Sequence, residues 1–92
     1  MPEQTINQRM RELRDHLGYG RQEFANKTGL KKKTIENIEN ELQRINGEQI
    51  STIVKTFPEY AYWLTTGLEI PAAGQISPAT KEIQENMNLK VA

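Results

Sequence analysis

Cysteine is absent from this 92-residue chain, which excludes disulfide stapling and thiolate metal sites. Histidine occurs once, at His16, and is expected on an exposed helix face. It has no companions with which to build a zinc site or a Ser-His-Asp triad. No glycine-rich phosphate loop is present, so neither an enzyme nor a cofactor-dependent protein is expected. No apolar run approaches the ~18 to 20 residues a membrane span requires. The opening MPEQTINQRMRELRD lacks the apolar stretch of a secretory signal, which leads to the expectation of a cytoplasmic protein. Net charge is also lacking, with 12 basic residues against 12 acidic. Strand-like alternation, internal repeats and low-complexity segments are missing as well.

What is present is helical periodicity. Hydrophobic content of 36% and charged content of 26% suit one small folded domain with a modest core. Thr5 and Gln8 have capping-box spacing, and Ile6, Met10, Leu13 and Leu17 then form one stripe. Gly18 and Gly20 close that helix. A second helix is expected over Gln22 to Thr28, with Phe24 and Ala25 inward and Gly29 closing it. The third begins near Lys31, and its inner face carries Ile35, Ile38 and Leu42. Ile45 continues that pattern, which predicts a long third helix ending at Asn46-Gly47. A fourth helix, Glu48 to Thr56, buries Ile50, Ile53, Val54 and Phe57. Pro58 stops it and opens a fifth, Glu59 to Thr66, packed through Tyr60, Trp63 and Leu64. LEIPAAGQI, from Leu68 to Ile76, reads as a linker. Ser77 and Pro78 then start a last helix, a detached tail with Ala79, Ile83 and Met87 every four residues.

Zero net charge conceals a gradient. Arg21 to Lys33 contains five basic residues and one acidic, while the segment after Phe57 has two lysines and four glutamates. Local concentration of charge makes an electrostatic footprint. Lys31, Lys32 and Lys33 would by themselves be a solvated patch; their place at a helix start, after a tight glycine turn, suits entry into a DNA groove. The exposed amides at the start of the second helix attract anions, which favours a phosphate beside Arg21 and Gln22. Lysine can donate to guanine O6 and N7, and asparagine can pair with adenine, so Lys33 and Asn37 are candidate base readers. Tyr60, Tyr62 and Trp63 read as packing residues at this spacing rather than a base-stacking surface. Glu36 reads as a solvated charge, and Glu36 with Glu39 is not expected to form a catalytic dyad.

These residues resemble the phage repressor and Cro family of helix-turn-helix regulators. The likeness is carried by Leu13-Arg14, Gln22-Glu23-Phe24-Ala25 with Gly29, Ile38-Glu39, and Tyr62-Trp63-Leu64-Thr65-Thr66-Gly67, which is similar to that family's "WLxxG" close. It spans about Thr5 to Gly67. The resemblance implies an all-α, five-helix lambda-repressor-like DNA-binding domain over 1–67; 68–92 is linker and C-terminal helix, whose apolar stripe is expected either to serve dimerisation together with the fifth helix or to fold back on its own domain. It places Arg21 on a phosphate, Lys32, Lys33 and Asn37 at the base edges, and Asn40 and Arg44 on the backbone. It also implies that Arg14 and Glu39 tie the first helix to the third. Lys31 stands at the usual Ser or Thr cap, and Glu41 where glycine commonly ends the recognition helix; the latter fits a longer helix.

The function implied is a sequence-specific regulator, Cro-like or a small prophage repressor, that binds a palindromic operator as a homodimer. It would associate with the nucleoid when bound to double-stranded DNA. Two other readings share the fold: the antitoxin of a toxin-antitoxin pair, whose tail wraps a toxin partner, and a protein-protein adaptor that reads no DNA.

Overall fold

The computed structural model describes residues 4–91, with side chains described to Met87. Among the described residues the structure is helical, and the one β feature is an isolated bridge between Ile70 and Gln75. The elements are α1 (Ile6–Leu17), α2 (Arg21–Thr28), α3 (Lys32–Glu39), α4 (Gly47–Thr56), α5 (Ala61–Thr66) and α6 (Pro78–Val91). Single 3₁₀ turns at Pro58–Tyr60 and Pro71–Ala73 join the later ones.

Local chemistry sets the helix starts. The Thr5 amide donates to Gln8 Oε1 at 2.8 Å while the Gln8 amide donates to Thr5 Oγ1 at 3.1 Å. Asn46 and Gln49 repeat this reciprocal cap at α4, both bonds 2.9 Å. Each pair satisfies two amides that the first helical turn leaves without partners. Between α2 and α3, Gly29 takes φ 85°, a left-handed conformation that costs a residue without Cβ little.

The core gathers Met10, Leu13, Phe24, Ile35, Ile38, Ile53 and Leu64, all with no exposed surface, around the nearly buried Tyr60 and Trp63. Phe24 lies parallel to Phe57 with ring centroids 6.1 Å apart, joining α2 to the end of α4. Arg9, itself buried, donates from Nε to the Leu64 carbonyl at 2.9 Å and from Nη2 to that of Thr65 at 3.3 Å. It therefore satisfies carbonyls at the end of α5 that the helix cannot.

Three expectations from sequence are corrected. The third helix does not run on to Ile45: it ends at Glu39, and Leu42 is 74% exposed rather than inward. Glu41 itself adopts the left-handed conformation, φ 60°, where glycine would be easier. The chain then doubles back, and the Leu42 and Gln43 amides donate to the Asn37 carbonyl at 2.8 and 3.4 Å. Buried Asn7 gives the loop its remaining partners: its Nδ2 donates to the Gln43 carbonyl at 3.0 Å, and its Oδ1 accepts the Ile45 amide at 3.1 Å. Ile45 thus reaches the core from a loop.

Nor is Leu68–Ile76 a free linker. Ile70 and Gln75 exchange backbone bonds across the Pro71–Ala73 turn, and the Ile76 amide donates to Glu59 O at 2.9 Å. Gln75 accepts the Tyr62 amide at 2.9 Å and donates to Pro58 O at 3.0 Å, while Ile76, Ser77 and Pro78 are buried. The tail is consequently docked at its root. Its start covers His16, whose side chain is 13% exposed, edge-on to Tyr60 and 3.8 Å from Glu82; the expected exposed histidine is mostly covered.

Candidate nucleic-acid interface

The expected recognition element is α3, and its two faces differ as the helical period requires. Ile35 and Ile38 are fully buried, while Lys31, Lys32, Lys33 and Asn40 are exposed. Lys31 occupies the N-cap in an extended conformation, with no side-chain hydrogen bond to the helix amides. The helix start therefore presents unsatisfied amides together with lysine charge, a pairing suited to an anion. Lys32 lies 3.9 Å from Glu36, an exposed i,i+4 pair of small net worth.

An ion triad holds α3 in place. Glu39 has no side-chain exposure; its Oε2 accepts Arg14 Nε at 2.6 Å and its Oε1 accepts Arg14 Nη2 at 2.8 Å. Arg21 Nε reaches the same Oε1 at 3.1 Å. Burial alone would raise the Glu39 carboxyl, but the bonds from Arg14 and Arg21 outweigh it and hold it below the ordinary carboxylate range. The Arg14 guanidinium is shifted up, first by its bond to Glu39. Arg14 also donates to the Tyr19 carbonyl at 2.9 Å, so one side chain links α1, the turn before α2 and the end of α3.

Arg21 opens α2 and has a side chain 35% exposed, with its Nε committed to Glu39. Gln22 is exposed and donates to Asn26 Oδ1 at 3.0 Å. Asn37 is half-buried rather than free, and its Nδ2 donates to Gln43 Oε1 at 3.3 Å. Arg44 is exposed on the loop after α3, over a depression formed with Thr5, Ile6 and Asn7. The triad thus ties Arg21 directly to α3, while Arg44 stands beside the start of α1.

Sequence reasoning missed Asn7, Arg9 and Gln43. Asn7 precedes Met10 by three residues and Arg9 precedes Leu13 by four, so both fall on the buried face of α1. A polar residue within an apolar stripe was the available signal. Gln43 had no such signal, because its role depends on where the loop turns. Among the described residues no three His, Asp or Glu side chains cluster as a metal site, and no helix is long and apolar enough to cross a membrane.

A family profile described as "Helix-turn-helix domain" matches residues 7–70. The chain belongs to the helix-turn-helix family. Membership points to a DNA-binding, non-enzymatic regulator. The solved structure of Pf6r, from the filamentous phage Pf6 of Pseudomonas aeruginosa PA01, is similar throughout. The TM-score is 0.72 at 26% identity, covering 92% of this chain and 99% of that one. No curated protein matches the sequence.

Proposed function

We propose that this helix-turn-helix protein is a sequence-specific transcriptional regulator of phage or prophage origin, Cro-like or repressor-like, that binds a palindromic operator as a homodimer. The observation that carries the reading is the division of α3, with buried isoleucines on one side and an exposed lysine cluster at its start. Lys33 and Asn37 read base edges; Arg21, Gln22, Lys31, Lys32, Asn40 and Arg44 contact phosphates. One such helix spans only a few base pairs, so useful specificity needs two, on half-sites about 34 Å apart.

DNA reading belongs to residues 1–67 and self-association to 68–92. The root of α6 is docked, yet Ile83 and Met87 remain 59% and 60% exposed. That apolar pair supports a second copy as the partner of α6. A toxin seated on the same stripe is the alternative, and a 1:1 complex with such a protein in place of the homodimer would favour it.

Selection of bound sites from random duplexes tests the reading. A two-fold symmetric consensus whose half-sites lie one helical turn apart is expected, with affinity falling steeply as salt rises. Failure to enrich any sequence would sink it in favour of an adaptor role.

A further inference from the structure

Asn37 has a support outside its own helix. Its backbone carbonyl accepts the amides of Leu42 and Gln43, and its side-chain Nδ2 donates to Gln43 Oε1 at 3.3 Å. Gln43 is itself anchored, because its carbonyl accepts Asn7 Nδ2 at 3.0 Å. Asn7 is 4% exposed and makes three bonds to this loop, to Glu41, Gln43 and Ile45. A continuous polar chain therefore runs from the interior of α1, through the loop, to the half-buried Asn37.

We infer that Gln43 is a positioning residue for base recognition, fixing the Asn37 carboxamide so that one Nδ2 hydrogen and Oδ1 remain for the edge of an adenine. This rests on the proposal that Asn37 reads a base. An asparagine amide has two hydrogens on Nδ2 and two lone pairs on Oδ1. Gln43 takes one hydrogen, and which hydrogen it takes sets which way the amide faces. With Gln43 on the hydrogen remote from Oδ1, the hydrogen beside Oδ1 and Oδ1 itself match N7 and N6 of adenine. Without Gln43 the amide is free to rotate into the orientation that mismatches both. A residue on the loop, beyond the recognition helix, thus sharpens the choice at one base pair. Glu41 belongs to the same support: its carboxylate accepts Asn7 Nδ2 at 3.1 Å, and its left-handed backbone turns the chain so that Gln43 faces back onto α3.

The test measures full-length protein on its selected operator and on every single base-pair substitution of it, by fluorescence anisotropy. Asn37→Ala should abolish discrimination at one position, about 5- to 150-fold. Gln43→Ala should lower discrimination at that same position by about 2- to 10-fold, the worth of one neutral hydrogen bond. It should have no further effect once Asn37 is alanine. Gln43→Glu keeps the accepting oxygen, so discrimination should survive while affinity drops on all sequences, because the added negative charge repels phosphate.

Uniform loss across all positions in Gln43→Ala would overturn the inference, as would additive losses in the double variant. Equal loss of discrimination in Gln43→Glu would overturn it too, since the acceptor is retained there. If Asn37→Ala leaves discrimination intact, the base-reading role of Asn37 itself fails, a result visible without any Gln43 variant. Unchanged thermal melting of the Gln43 variants separates positioning from folding.

Discussion

Glu39 is the residue on which the placement of the recognition helix depends. A carboxylate with no exposed surface is tolerable only because Arg14 and Arg21 supply three hydrogen bonds. Removing Arg14 leaves the charge buried with Arg21 alone, and Arg14→Ala should cost about 3 kcal/mol, read from the urea midpoint. The pH dependence follows from the lowered carboxyl of Glu39. A depressed folded value stabilises fully above the unfolded carboxylate range, about pH 4.3, and that stability is lost as pH falls through the folded value. Glu39→Gln should therefore lose stability at neutral pH and show a flatter acid limb than the parent below about pH 5. A parallel acid limb in both proteins would assign acid sensitivity elsewhere. Asn7→Ala strands the buried Ile45 amide, and a loss of about 2 kcal/mol is expected.

At the scale of elements, helix ends decide more than helix interiors. The periodicity of Ile35, Ile38, Leu42 and Ile45 suits one long helix, yet the chain leaves it after Glu39. Periodicity reports only which residues are apolar at helical spacing. It is blind to Asn7, 38 residues from Ile45 in sequence, which gives the loop partners that a continuing helix would have given. Starts were more legible, because caps are local: Thr5 with Gln8, and Ser77, function as their spacing implies, while Asn46, read only as a helix breaker, caps α4. At α6, Ser77 Oγ accepts the Thr80 amide at 3.2 Å, and Glu69 accepts the Ser77 amide at 2.8 Å. A bond from the Thr80 side chain, and after it the bond from the Ser77 amide, hold the Glu69 carboxyl below its ordinary range. Ser77→Ala should destabilise this start by about 1 kcal/mol. Hydrogen exchange checks it: the Thr80 amide should lose protection while amides within α2 keep theirs.

For the whole molecule, two kinds of surface are separated along the chain. Basic residues concentrate in α2 and at the start of α3, whereas α6 carries glutamates beside the exposed Ile83 and Met87. Because Ile83 is 59% exposed, Ile83→Asp should leave the fold intact while shifting sedimentation towards monomer and weakening operator binding. A dimer of undiminished strength in that variant would move the interface away from α6. On the basic side, each phosphate contact adds about −0.9 to the log–log salt slope. Arg44→Ala should reduce the slope's magnitude by about that amount with no change in preferred sequence, and an unchanged slope would remove Arg44 from the phosphate ligands.

Local features of the sequence determined the helix-turn-helix unit by themselves. Apolar spacing, caps and Gly29 act within a few residues, so the order of α1 to α5, most of their buried stripe and the lysine face could be read directly. The ion pair of Arg14 with Glu39 was legible only through the family resemblance. Tertiary structure alone decided the end of α3, the left-handed Glu41, the burial of Ile76 and the shelter over His16. It also added Arg21 to the Glu39 pair and seated Gln43 on Asn37. The physical reason is common to all of these. Each depends on a polar group or surface supplied by a distant segment, and spacing along the chain carries no record of what a distant segment brings.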